Sequence, residues 1–275
     1  MCCVFTVVET LPRGEPVGGV TSLGDEIFVL RWKERDQLEV YDVISYSLQR
    51  RLTVPDAQGF TDLTSCDHYR CLYIGDHCAE CVHRLDAEGY SATRWPVNDE
   101  PAGLSVNDSR NVIVTCRMVR RIKEFSSHGD LLRELALPDD VISPWHAVQS
   151  SCGQLVVCEG DLGDPVHRVL MLSVDGRRIV HSHGGQPGPS VGQYDGPFHL
   201  AADNNGFLLV ADVGNRRVTL LSPTLEYVRP VVLWDVLKWD PERLYLDVER
   251  RRLYVADNDV IDDEYIAGRV VVFSV

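Results

Sequence analysis

The sequence predicts an all-β fold, a six-bladed β-propeller of four-stranded antiparallel blades, and three observations predict it. Short runs rich in Val, Ile, Leu and Tyr alternate with Gly, Asn, Asp or Pro, which is the signature of strands joined by turns, and no long helical periodicity competes with it. The pattern also repeats. An apolar run ending on a polar or thiol residue occurs six times, marked by Arg31, Asp76, Cys116, Glu159, Asp212 and Asp257. The marks stand roughly 40 to 53 residues apart, against about 40 to 45 for a four-stranded blade. Finally, the last unit stops one strand short, at "GRVVVFSV", and "CVFTVVE" (Cys3–Glu9) reads as the missing outer strand. Such an exchange closes the ring by hydrogen bonds and leaves no open sheet edge. Residues 1–275 are accordingly expected to form a single domain without an internal linker.

In chain order the six units carry "IFVLRWKERDQLEVYD", "CLYIGDHCAECVHRL", "VIVTCRMVRRIKEF", "LVVCEGDLGDPVHRVLML", "FLLVADVGNRRVTLL" and "RLYVADNDVIDDEYIAGRVVVF". In each, the run before the mark is one strand, the residues after it a turn, and the next apolar run its partner. Three segments depart from the common length. "GDLGDPVH" (160–167) lengthens a hairpin. "HSHGGQPGPSVGQYDG" (181–196) is a Gly- and Pro-rich connection, read as a flap, a partner contact or an idle surface loop. "NDVIDDEY" (258–265) is an acidic loop with Asp259, Asp262, Asp263 and Glu264, a calcium candidate that lacks the ligand order of an EF-hand.

The fifth unit, "DVGNRRV" at 212–218, follows "GPFHLAADNNGFLLVA" and has the form D-x-x-N-x-R-V. It resembles the NHL repeat. Physically, an Asp at a strand end accepts bonds from turn N–H groups or a following Arg, while Asn or Gly supplies a left-handed backbone, so Asp212, Asn215 and Arg216 read as hairpin-shaping residues. The resemblance implies a protein- or RNA-binding platform of the kind found in tripartite-motif proteins. Similar six-bladed propellers form enzymes, namely the peptidylglycine amidating lyase, the gluconolactonases and paraoxonases, and strictosidine synthase. Fold alone does not choose among these.

Composition narrows the partners. With 41 acidic and 27 basic residues the chain carries −14, which opposes non-specific binding to phosphate backbones. The densest basic run, Arg117, Arg120, Arg121 and Lys123, is the one RNA candidate, yet strand alternation divides it between two faces. RNA is therefore the least expected partner. No stretch approaches the roughly 18 apolar residues of a membrane span, and "MCCVFTVVET" has no basic n-region or apolar h-region. A soluble cytoplasmic protein is expected. Nine cysteines, an odd number, fit free thiols better than a disulfide framework.

The opening residues of each innermost strand line the central channel, and there the chemistry converges: "PVGGV", "FTDLT", "PAGLS", "PWHAV", "PFHLA" and "PERLY". Their third positions are Gly18, Asp62, Gly103, His146, His199 and Arg243. Two His and a carboxylate suit a divalent metal, zinc or calcium, with Arg243 orienting an anionic small molecule. The related enzymes usually place metal ligands at the second position instead, which here holds Val17, Thr61, Ala102, Trp145, Phe198 and Glu242. If the second position faces the mouth, Trp145 and Phe198 form an aromatic lip suited to a peptide or apolar ligand. If the third position faces a neighbouring blade, His146 and His199 are hydrogen-bonded core residues. "DHCAECVH" (76–83) contains C-x-x-C, but the repeat puts it across a hairpin, and the second cysteine pair of a zinc knuckle is missing. The leading expectation is a protein- or peptide-binding propeller; the competing one is a metal-assisted lyase or hydrolase at the channel mouth.

Overall fold

A computed structural model describes residues 5–32, 37–89, 91–161, 163–261 and 264–275. Alternating apolar runs and turns become 24 strands in six four-stranded antiparallel sheets. β1 is Thr6–Thr10. The first blade is β2 (Val17–Leu23), β3 (Glu26–Arg31), β4 (Gln37–Asp42) and β5 (Leu48–Thr53), and the second is β6 (Phe60–Cys66), β7 (Cys71–Asp76), β8 (Cys81–Asp86) and β9 (Ala92–Pro96). The third comprises β10 (Pro101–Val106), β11 (Val112–Cys116), β12 (Arg121–Phe125) and β13 (Leu131–Ala136). The fourth comprises β14 (Pro144–Gln149), β15 (Leu155–Glu159), β16 (His167–Leu172) and β17 (Ile179–Gly185). The fifth is β18 (Pro197–Ala202), β19 (Leu208–Asp212), β20 (Arg217–Leu221) and β21 (Tyr227–Val232), and the sixth begins with β22 (Asp240–Asp247), β23 (Arg252–Ile261) and β24 (Glu264–Ser274). Among the described residues no helix is long and apolar enough to cross a membrane.

β1 completes the sixth blade by pairing antiparallel with β24, Thr6 opposite Ser274 and Thr10 opposite Val271. This is the closure expected from counting strands, though the strand runs to Thr10, and Cys3 and Val4 lie outside the described residues. Further bonds lock the seam. Asn258 accepts from the Val17 N–H at 2.8 Å and donates to the Val17 carbonyl at 2.9 Å, and Gly14 and Gly268 exchange backbone bonds. Apolar faces of neighbouring sheets interlock around the ring: Ile27, Val29 and Tyr41 of the first blade pack against Tyr254, Val270 and Val272 of the sixth. The seven cysteines among the described residues are all free thiols.

The hairpin marks are where sequence and structure part. In the fifth blade Asp212 accepts from the Asp195 N–H at 2.7 Å, from Asn215 Nδ2 and from Arg217 Nε at 2.7 Å. The arginine that bonds Asp212 is Arg217, while Arg216 turns its side chain outward to Asp240. Neither Asn215 nor Gly214 supplies the left-handed residue; Arg216 does, at φ 49°. Asn215 instead uses its side-chain amide to bridge Asp212 and the Gly188 carbonyl. The connection at 181–196 is not a free flap: its first residues belong to β17, and Arg217 and Asn215 hold the carbonyls of Pro189, Gln193 and Gly188. The "NDVIDDEY" segment is mostly strand, with Asp262 and Asp263 outside the described residues and Asp259 paired to Arg13 at 3.2 Å.

The same carboxylate–arginine pair recurs as Asp257–Arg269 and Glu159–Arg168. Blade one inverts it. Arg31 occupies the carboxylate position, fully buried, bonding Glu39 at 2.9 Å and the carbonyls of Glu15, Gly268 and Pro12. A forked cation thereby ties the first blade to the closing seam, a task a carboxylate cannot perform because carbonyls need donors.

Candidate functional site

Each innermost strand begins with the same irregularity. Between Phe60 and Asp62, Pro101 and Gly103, Pro144 and His146, Pro197 and His199, and Pro241 and Arg243, one residue bulges out of register with the adjacent strand. In the first blade the bulge falls between Val17 and Gly19, so the equivalent residues are Gly18 and Gly19, one further along than the sequence spacing placed them. A bulge sets two residues against one and breaks simple alternation. Both the second and third positions are therefore delivered to the channel, at different depths.

The bulged second positions reach a mouth of about 490 Å³ whose lining includes Thr61, Ala102, Trp145, Phe198 and Glu242. The Trp145 and Phe198 rings lie 4.3 Å apart, and Arg117 sits over Trp145 at 4.0 Å while its guanidinium bonds Asp161. Opposite them, Trp32 meets Tyr265 edge-on at 4.2 Å. Glycine at position 18 is required here, since a Cβ would stand 2.1 Å from Trp32 Nε1. Glu242 is buried in the wall and accepts from Asn258 at 2.9 Å. Burial pushes its carboxyl above the usual carboxylate range against the pull of Arg243. The Nε1 atoms of Trp32 and Trp145 and the Thr61 hydroxyl are buried without a hydrogen-bond partner among the described residues.

The third positions meet below this mouth and plug the channel. Asp62 of the second blade faces His146, His199 and Arg243 of the fourth, fifth and sixth, at 3.9, 3.4 and 3.5 Å. Its oxygens accept from the Leu63 N–H at 2.9 Å and the Leu104 N–H at 2.8 Å. Arg243 also donates to the Thr61 carbonyl at 2.9 Å. The two imidazoles stack at 3.7 Å, 21° from parallel. His146 accepts the Leu200 N–H on Nδ1 and donates from Nε2 to the Leu104 carbonyl at 2.9 Å, which fixes its neutral tautomer. Gly103 makes room for this ring, because a Cβ there would lie 2.8 Å from it.

Burial, reinforced by the neighbouring His199, pulls His146 down to about 3, and burial lowers His199 as well. For Asp62 burial acts upward, but His199, Arg243 and His146 outweigh it and hold the carboxyl at about 2. At neutral pH the plug is thus one carboxylate, one guanidinium and two uncharged imidazoles. Asp62, His146 and His199 offer ligand atoms within 4.8 Å of one another. Their rings stack face to face, and the Nε2 of His146 already donates to the Leu104 carbonyl.

Both sets of residues singled out in the sequence therefore come together, the aromatic pair at the mouth and the charged set beneath it. Trp32, Tyr265, Arg117 and the exposed Met118 were missed. A signal existed for two of them: Trp32 and Arg117, like His77, directly follow the repeat mark, so one step past the mark in the first three blades is a mouth position. The basic run does not form an open patch. Arg121 pairs with Glu134 and Lys123 with Asp99 at 2.5 Å, while Arg120 reaches the Asp139 carbonyl.

Fold and site together define an all-β six-bladed propeller with a plugged channel and an aromatic-lined mouth on one face. No protein-family model matches the chain, and no curated protein sequence matches it significantly. Solved structures match its fold. It is similar to a virginiamycin B lyase from Staphylococcus aureus, at 11% identity over 98% of this chain and 99% of that one, with a TM-score of 0.66. It is similar to a streptogramin B lyase at 13% identity over 94% and 87%, TM-score 0.65. The Swd1 β-propeller domain of Myceliophteria thermophila matches at 11% identity over 98% and 99%, TM-score 0.65.

Proposed function

We propose that this chain is an NHL-type propeller that works as an interaction module, holding a peptide segment of a protein partner in the aromatic mouth. The observation that carries this reading is the mouth itself, where Trp32, Tyr265, Trp145 and Phe198 line the opening. Aromatic walls suit one large apolar side chain of that peptide, and the −14 charge favours basic residues flanking it. The NHL-type assignment is supported by the fifth hairpin, where Asn215 and Arg217 both donate to Asp212 in the D-x-x-N-x-R pattern.

Panning a random-peptide phage library on the purified protein tests this. Selected peptides should carry an aromatic or large aliphatic residue beside Lys or Arg. Phe198→Ala or Trp145→Ala should weaken the best of them at least tenfold, with circular dichroism unchanged. Failure of the library to yield any binder, or affinities indifferent to both changes, sinks the reading.

One observation favours a second reading, a metal-assisted lyase or hydrolase: Asp62, His146 and His199 cluster beneath the mouth with Arg243 beside them. The stacked rings and the His146–Leu104 bond weigh against it, and the likeness to two lyases at 11–13% identity carries only the fold.

A further inference from the structure

The repeat itself exposes a second candidate site, away from the channel. In blades four, five and six a buried carboxylate at the hairpin mark is met across the strand pair by arginine, as Glu159–Arg168, Asp212–Arg217 and Asp257–Arg269. Asp76 is the equivalent carboxylate of blade two and is equally buried, but the residue opposite it is Cys81. Two residues on, at the register position of Thr219 in blade five, stands His83. The arginine has been replaced by a thiol and an imidazole, so the buried carboxylate loses its fixed cation while its surroundings gain two soft donor atoms.

Their geometry is that of a coordination shell. His83 Nε2 lies 3.2 Å from Asp76 Oδ2 and 3.5 Å from Cys81 Sγ. Zinc bonds of about 2.0–2.1 Å to nitrogen and oxygen and about 2.3 Å to sulfur, set tetrahedrally, separate N from O by about 3.4 Å and N from S by about 3.6 Å. The three ligand atoms all fall within 4.8 Å of one another, and all three residues are buried. The Asp76 oxygens also accept the N–H groups of Gln58, Gly59 and Ala79, which orient the carboxylate as outer partners orient metal ligands. On the open side, Cys81 lines a surface pocket of about 340 Å³ shared with Gln58, Cys78 and Arg94.

We propose that Asp76, Cys81 and His83 form a binding site for a divalent cation of the zinc class, with the fourth position open to this pocket. The cation takes the place in blade two that arginine fills in its neighbours. A thiolate, an imidazole and a carboxylate select zinc or cobalt over calcium or magnesium, which prefer oxygen throughout. The C-x-x-C that marks this stretch is incidental to the ligand set, which draws only on its second cysteine.

Cobalt(II) substitution tests it. The full chain, reduced and stripped of metal with chelator, is titrated with Co²⁺ and then with Zn²⁺. One equivalent should bind, with visible bands of tetrahedral cobalt and a thiolate-to-cobalt charge-transfer band in the near ultraviolet, both bleached by zinc. Cys81→Ser, nearly isosteric and able to fold, should abolish the charge-transfer band, and His83→Ala should weaken binding at least tenfold. His146→Gln should leave both bands unchanged. Absence of a charge-transfer band in the wild type, or a band that survives Cys81→Ser, overturns the site; a band lost only with His146→Gln assigns the metal to the channel instead.

Discussion

His146 should make this protein lose stability in mild acid. In the unfolded chain its imidazole protonates near the ordinary value of 6.5; in the fold, burial and the adjacent His199 hold it neutral to about 3. At this site the unfolded state therefore binds more protons as pH falls, so the contribution of His146 to stability declines from about pH 7 downward and keeps declining to about pH 3. At pH 5 the unfolded imidazole lies 1.5 units below its midpoint, and at about 1.36 kcal/mol per unit the loss from His146 is about 2 kcal/mol. His199, lowered in the same direction, adds to it. Asp62 does not confound this window, because its depressed carboxyl gives stability that is lost only as pH falls from about 4 toward 2. The groups facing His146 are His199, Asp62, Arg243, the Leu104 carbonyl and the Leu200 N–H, and Asp62, held at about 2, stays ionised between pH 5 and 8. Urea unfolding at half-unit intervals from pH 8 to 5 reads the slope. His146→Gln keeps a donor for the Leu104 carbonyl and removes the titration, so its stability should fall with pH by about 2 kcal/mol less than the wild type over this range. Parallel curves for the two proteins refute the buried neutral imidazole.

Two further outcomes follow from the closing seam. Arg31→Met strands Glu39 without its principal partner and three carbonyls without a donor, and should cost about 3–5 kcal/mol in the same urea assay. Deleting residues 1–10 removes β1 and bares the outer edge of β24, so the truncated chain should self-associate on gel filtration, whereas a monomer of unchanged melting temperature argues that closure does not depend on this strand.

The blade count was legible because turn chemistry is local: Asp or its stand-in at a strand end recurs wherever the same hairpin is built. Strand exchange was legible because it needs only counting. The bulge was not, since nothing in "PWHAV" or "PFHLA" shows that the residue before the histidine steps out of register, and "PVGGV" slid by one for want of a side chain to mark its place. Inter-blade partners were also invisible. His146 finds the Leu104 carbonyl through ring geometry, not through spacing. Likewise Arg31 in a carboxylate's place read as a weak repeat, whereas it holds an ion pair with Glu39, two residues beyond the position opposite the mark.

In most repeat proteins each unit touches only its neighbours, and stability is close to a sum of local terms. Asp62 breaks that pattern. From the second blade it reaches the fourth, fifth and sixth, none of which borders its own, and so acts as a hub whose spokes cross the axis. A blade that begins to splay must pull against the opposite side of the wheel as well as against the two beside it. The ring is thereby built to come apart all at once, and a force applied at one rim is shared across the diameter instead of being passed around the circumference.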